Sequence, residues 1–168
     1  FNASSGDAFP SGVSVAVAAG VTGATDPLVA TALAALPDEV FKLIVSPYTD
    51  STSTTALKTE LDRRWGATVQ LDGHAIMAKS GTASTVATFG GTLNCQHFTF
   101  IDSGKATMYP SYIWAGTLAG RVAFSADADP ARPFRTLGID DIVGDIASNR
   151  RTFSEKNAIL TAGVGTHN

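Results

Sequence analysis

Cysteine is nearly missing from this sequence, which removes two kinds of stabilising or reactive structure. Cys95 is the single cysteine among 168 residues. It therefore cannot close a disulfide within the chain, and no second thiol is present to complete a cysteine-based metal site. We expect such a chain to fold in a reducing cytoplasm.

Long hydrophobic runs and an excess of positive charge are missing as well. The sequence has no run of about 18 apolar residues and no basic region followed by a hydrophobic stretch at its start. We therefore predict no membrane insertion and no secretory signal. The 12 basic and 15 acidic side chains give a net charge of −3. Because that balance does not favour a phosphate backbone, we predict no nucleic-acid partner.

The composition that remains is typical of a globular domain. Apolar residues make up 44% of the chain and charged residues 16%, enough for one domain with a hydrophobic core. We predict a loop at residues 1–12, a single α/β domain at 13–163, and the start of a connection at 164–168. The chain begins with Phe1 and ends after a glycine-rich stretch, so we expect a fragment.

Apolar runs of strand length alternate with segments of helical periodicity. The alternation predicts a three-layer α/β domain with a mostly parallel sheet and helices on both faces. The predicted strands cover residues 13–20, 41–45, 73–79 and 97–101, and the predicted helices cover residues 28–36, 57–65, 82–89 and 111–126.

Some segments carry more detailed expectations. We expect the helix at 111–126 to be central and largely buried, with Gly116 and Gly120 forming a flat strip for close packing. The helix at 82–89 is predicted to be interrupted by Gly90 and Gly91. Residues 127–146 are expected to be irregular, with a short extra strand near Leu137.

A last helix is predicted to begin at Thr152. Its hydroxyl and the Glu155 carboxylate three residues later form a capping box. Gly163 is expected to end this helix.

No motif indicates a nucleotide or metal site. The loop after the first predicted strand has glycines but lacks the lysine of a P-loop and the G-x-G-x-x-G spacing of a dinucleotide site. His74, His97 and His167 are far apart, and no two of them have the spacing that places metal ligands on one helical face. We predict no cofactor and no metal ligand.

No catalytic residue is predicted. A G-x-S-x-G nucleophile elbow does not occur. Cys95 and His97 share a strand face but lack a third, orienting group, so we interpret Cys95 as a small buried hydrophobe. Asp72 could orient His74, but Asp-Gly-His at a strand start is more typical of a turn. A serine hydrolase would need a serine hydroxyl close to His74 or His97, and a ligand-binding module would need a convergent polar pocket.

Mixed charges near the end of the chain suggest a different use. Asp140 and Asp141 lie in the predicted irregular segment, and Arg150 and Arg151 follow it. Alternating charge on an exposed segment can pair with a neighbouring subunit and determine its register. We hypothesise that these four residues are subunit contacts.

Several motifs, in order, resemble the contractile tail sheath proteins of Mu-like bacteriophages. The match runs from about residue 26 to Gly163. Its most specific landmarks are a D-P-A-R-P sequence after a long helix and an E-K-N sequence in the last helix. These landmarks comprise Asp129, Pro130, Ala131, Arg132, Pro133, Glu155, Lys156 and Asn157. Lys156 replaces the arginine typical of the family, which keeps the charge but loses a bidentate donor.

The resemblance implies a structural and mechanical function rather than an enzyme. It implies a subtilisin-like core without catalysis, which polymerises as hexameric rings around a tail tube above a baseplate and contracts to drive the tube through the host envelope. Terminal arms would add strands to neighbouring subunits. The resemblance places the intact protein in the virion tail, assembled in the host cytoplasm, and we expect the fragment alone to be a monomer.

Overall fold

The computed structural model describes residues 29–131, 133–134, 137–139 and 142–167. The strand predicted at 13–20 and the loop predicted at 1–12 lie outside these residues. The described elements are, in order, α1 (Val29–Ala34), β1 (Leu43–Val45), α2 (Ser51–Trp65), β2 (His74–Ser80), α3 (Ala83–Thr92), β3 (Phe98–Gly104), α4 (Ser111–Ala128), a 3₁₀ helix (Ala147–Asn149), α5 (Phe153–Thr161) and β4 (Val164–Gly165).

The four strands form one sheet in the order β1-β2-β3-β4, and every neighbouring pair is parallel. Each crossover between neighbours carries at least one helix, as parallel pairing requires. The α/β class and the parallel sheet predicted from the sequence are confirmed.

Helices cover both faces of this sheet, because alternate residues of a strand point to opposite sides. On one face, Ala75 and Met77 of β2 belong to an apolar cluster with residues of α2, α3 and α5. On the other face, Ile76 and Ala78 pack with Trp114, Ala115 and Ala119 of α4. The three layers predicted from the sequence are therefore present.

The ends of the helices follow local sequence signals. Asp50 accepts a hydrogen bond from the Ser53 backbone N–H at 2.7 Å and caps α2, and Thr82 caps α3. At α5, Thr152 and Glu155 form the predicted reciprocal capping box. Gly163, just after α5, has a φ of +81°, a backbone conformation that glycine adopts without strain.

Three local predictions were wrong. Helix α3 continues through the Gly90-Gly91 pair instead of stopping before it. Residues 137–139 are irregular rather than a short strand. Val164 and Gly165, expected at the start of a connection, pair with Phe100 and Ile101 as strand β4. Helix α3 packs at Gly90 against the segment that forms β4. This tertiary contact explains why α3 continues past Gly90 and why Val164 and Gly165 form a strand.

Helix α4 is less buried than predicted. One side of it contacts the sheet, but Phe124 is 74% exposed and Tyr112 is 50% exposed. The predicted close packing at Gly116 and Gly120 is also wrong for the part of the chain that the structure describes, because a Cβ added at either position would meet none of its heavy atoms within 4 Å. These glycines lie on the exposed side of the helix.

Replacing Gly116 or Gly120 with alanine is therefore expected to stabilise the chain. Each change should raise the free energy of unfolding by about 0.5–1 kcal/mol, since glycine inside a helix loses more backbone entropy than alanine. Urea denaturation measures the effect. The reverse change at exposed Ala123 of the same helix, Ala123→Gly, should lower stability by a similar amount, and a loss of stability in Gly116→Ala would show that α4 packs closely there after all.

Candidate functional site

Ligand sites of open parallel sheets lie beyond the carboxyl ends of the strands. Here that region holds a buried ion pair. Arg151 Nε lies 2.8 Å from Asp102 Oδ2, and Arg151 Nη2 lies 2.7 Å from Asp102 Oδ1. Asp102 has no exposed surface and Arg151 is 8% exposed. The pair is therefore a bidentate, charge-assisted contact shielded from water.

This ion pair ties several segments together. Arg151 Nη2 also donates to the Gly81 carbonyl at 2.8 Å, just after β2. The Gly104 N–H, at the end of β3, donates to Asp102 Oδ1 at 3.0 Å. Hydrogen bonding to Asp102 raises the pKa of Arg151 above its ordinary value, so the guanidinium stays charged. The arrangement holds the ends of β2 and β3 against Arg151, the residue before the N-cap of α5.

A second group of contacts lies beside the first. The Lys105 backbone N–H donates to Asp145 Oδ2 at 2.7 Å, and Lys105 Nζ lies 2.8 Å from Glu155 Oε1. The hydrogen bond from Lys105, followed by that from the Thr152 backbone, lowers the pKa of Glu155 to about 2. These contacts attach the loop after β3 to the first turn of α5.

The lowered pKa of Glu155 predicts a pH dependence. Its ordinary pKa is 4.5, so the stability that its ionised form contributes is fully present above that value. It is lost as the pH falls from about 4.5 to about 2. We expect Glu155→Gln to be less stable than the original chain at pH 7, with the difference vanishing near pH 2.

Thermal unfolding followed by circular dichroism across this pH range measures the difference. Lys105→Met should reduce the same pH-dependent difference, because it removes the cation that faces Glu155. A difference in thermal stability between Glu155→Gln and the original chain that stays constant from pH 7 to pH 2 would contradict the lowered pKa of Glu155.

Within the described residues, His74 and His97 do not form a hydrolytic site. His74 Nε2 lies 2.7 Å from the hydroxyl oxygen of Thr99. His97 Nε2 lies 3.2 Å from the Gln96 side-chain nitrogen and 3.5 Å from Asp62 Oδ1. Partial burial, followed by repulsion from His97, lowers the pKa of His74. Among the described residues, neither ring reaches a serine hydroxyl.

Within the described residues, Cys95 and the possible metal ligands also lack the arrangement that catalysis or metal binding requires. Cys95 is partly buried and packs against the apolar cluster of α2, α3 and α5. Within residues 29–131, 133–134, 137–139 and 142–167, no three His, Cys, Asp or Glu side chains are grouped so that they could hold a metal ion. The same residues contain no helix with the length and apolarity needed to span a bilayer.

Comparison with known proteins assigns the chain to a family. Residues 10–167 match the family model of the phage tail sheath protein central domain. The chain belongs to the phage tail sheath family. It is 37% identical over 163 residues to the Mu-like prophage FluMu tail sheath protein of Haemophilus influenzae. That match covers 97% of this chain and 33% of the relative, so the chain spans about a third of the relative's length.

The two landmark motifs of this sheath domain are not brought together. Asp129 ends α4, and its side chain accepts a hydrogen bond from the Ala131 N–H at 3.1 Å. Pro130 and Pro133 are exposed beside it. The second motif lies on α5, across the sheet, where Glu155 caps the helix and Asn157 is exposed. Asp129 and Glu155 thus make local turn and cap contacts, and Arg132 lies outside the described residues.

The hypothesis that charged residues near the end of the chain are subunit contacts is wrong for Arg151. Arg151 was expected on an exposed segment, but the structure buries its guanidinium against Asp102. Its charge is used within the chain, so reversing that charge would disturb the fold itself. Arg150 is exposed, as expected. Asp140 and Asp141 lie outside the described residues.

The partner of Arg151 was missed in the sequence. Asp102 lies in strand β3, which has the sequence F-T-F-I-D-S-G. An acidic residue inside an apolar strand is a signal for a buried, paired charge. That signal indicates burial but does not identify the partner, which lies 49 residues away.

Proposed function

We propose that this chain is the rigid central body of a tail sheath subunit, a structural protein that polymerises around a tail tube. The 37% identity over nearly the whole chain to a protein named as a tail sheath protein carries this proposal. The match to the central domain of the family supports it. In the intact protein, copies would form hexameric rings that stack into a helical sheath.

We further propose that the sheath contracts, shortening and widening so that the tube crosses the host envelope. Contraction of this kind requires subunits that move as rigid bodies while their contacts change. Apolar clusters on both faces of the sheet and the buried pair of Asp102 and Arg151 support such rigidity. The partners would be other copies, the tube and the baseplate, with no cofactor, and the assembled protein would reside in the virion tail after assembly in the host cytoplasm.

Expression of the intact gene product tests this proposal. Negative-stain electron microscopy of the purified protein should show hollow tubes with six-fold symmetry, and tails isolated from phage particles should carry the protein along their length. Tails that shorten on triggering should show it in a wider, shorter array. Purified protein that forms no tubes and is not found in tails would overturn the proposal.

A further inference from the structure

One exposed surface combines large apolar side chains with positive charge. It consists of two adjoining patches that both border Lys156 of α5 and is called here the α5 face: Ile146 with Arg150, and Phe153 with Leu160. Phe153, at the first position of the helix, is 88% exposed, and Ile146 and Leu160 are more than half exposed. Arg150 is exposed two residues before the helix cap. Large apolar side chains beside an arginine are typical of protein interfaces.

A second exposed surface has the opposite charge. It lies at the carboxyl end of α4 and is called here the α4 end: Phe124, Asp127 and Asp129. Phe124 is 74% exposed, and both aspartates are exposed. The carboxyl end of a helix carries a partial negative charge, which adds to that of the two carboxylates and favours a cation.

A groove adjoins the α4 end and supplies a place for an apolar side chain. It runs between α4 and β1, with apolar walls and with Asp127, Lys42 and His74 as its charged or titratable residues. Its apolar lining includes Leu43, Ile76, Leu118, Val122 and Phe134. Of the residues that line it, Ile76 belongs to the core on this face of the sheet, and Val122 is partly buried against that core. The apolar lining of the groove is therefore held in place by packing against the core.

Helix α5, which carries Phe153 and Leu160, and helix α4, which carries Phe124 and Asp127, lie on opposite sides of the sheet. Helix α5 packs with the cluster that contains Ala75 and Met77, whereas α4 packs with the cluster that contains Ile76 and Ala78. The two surfaces therefore cannot meet within one chain. A contact between two copies would be head-to-tail, leaving one surface of each kind unpaired at the two ends. Repeated contacts of that type generate rings or open helical arrays.

We propose that the α5 face of one copy binds the α4 end of the next copy. Arg150 faces Asp127 across this contact, and Phe153 enters the groove between α4 and β1. This inference rests on the proposed sheath function and identifies the surfaces through which its copies meet. The charges select the orientation and register of the two copies, while the aromatic side chains exclude water from the contact.

Charge reversal in the intact gene product tests the contact. The variants are Arg150→Asp, Asp127→Arg and the double variant that carries both changes. The measurement is the lowest protein concentration at which tubes form and can be pelleted by centrifugation. Each single variant places like charges together and should raise that concentration about tenfold or more. The double variant restores the opposite pairing between neighbouring copies and should return to near the original value.

Two matched controls place the same charge changes elsewhere. Lys58→Asp alters α2, and Asp72→Arg alters an exposed loop before β2; neither should change the concentration for assembly appreciably. Circular dichroism melting of each variant confirms that these surface changes leave the fold intact.

The outcomes separate the two proposals. If the original protein forms tubes and the single variants assemble equally well, or if the double variant is not rescued, the paired surfaces are wrong while the sheath function stands. If the original protein forms no tubes, the sheath function fails, and the contact fails with it. Impaired single variants with a rescued double variant support the contact.

Discussion

Asp102→Ala is expected to lower the free energy of unfolding by about 3–5 kcal/mol, because it leaves the buried guanidinium of Arg151 without its countercharge. The Arg151 side chain is 2% exposed, so water cannot replace the lost carboxylate without opening the structure. The Gly104 N–H loses its acceptor as well. Urea denaturation followed by far-ultraviolet circular dichroism measures the change.

Two further variants separate the lost charge pair from other causes. Asp72→Ala removes an exposed carboxylate and should change stability by less than about 0.5 kcal/mol. The double variant Asp102→Leu with Arg151→Met removes both charges of the pair and should recover part of the loss, because neither partner is then left buried without the other. A loss below about 1 kcal/mol in Asp102→Ala would show that the ion pair contributes little.

Gly90→Ala is the second change for which we expect a large effect. A Cβ at this position would clash with Val164 Cγ2 and lie 2.8 Å from the Ala162 carbonyl oxygen. Strand β4 and the end of α5 would have to move away from α3, and overpacking of this kind costs about 1–3 kcal/mol. Urea denaturation should show the loss, and hydrogen exchange should show reduced protection at Val164.

The neighbouring glycine provides the control. A Cβ at Gly91 would meet no heavy atom of the described residues within 4 Å, so Gly91→Ala should raise the free energy of unfolding by about 0.5 kcal/mol through its helix propensity. The two changes are chemically identical and one residue apart in the same helix. Equal effects of the two would contradict the contact between α3 and β4.

Much of the fold could be predicted because its signals are local. Apolar runs predicted the strands at 41–45, 73–79 and 97–101, and their ends lie within a few residues of those observed. The capping pair of Thr152 and Glu155 predicted α5. Alternation of strands and helices then predicted the parallel sheet. Family membership was predicted from short motifs in order, and the comparisons confirm it. The subtilisin-like topology that the resemblance implied stays a prediction.

The errors at the glycines share one cause, which is that residue type does not report tertiary environment. Gly90 was read as a helix breaker, but it is a point of close approach between α3 and β4. Gly116 and Gly120 were read as points of close approach, but their Cβ positions are open. All three positions hold glycine, and the element that packs beside each one decides whether a larger side chain would fit there.

By itself, the sequence determined most of the elements, their alternation and the family, because periodicity, capping and motif order depend on residues close together in the chain. Only the tertiary structure decided that Arg151 is an internal charge while Arg150 stays on the surface. The two arginines are adjacent and chemically alike, and the difference depends on Asp102, which the fold brings within 2.7 Å of Arg151 from 49 residues away. A contact over that separation follows from how the helices and strands pack, which local pattern does not specify.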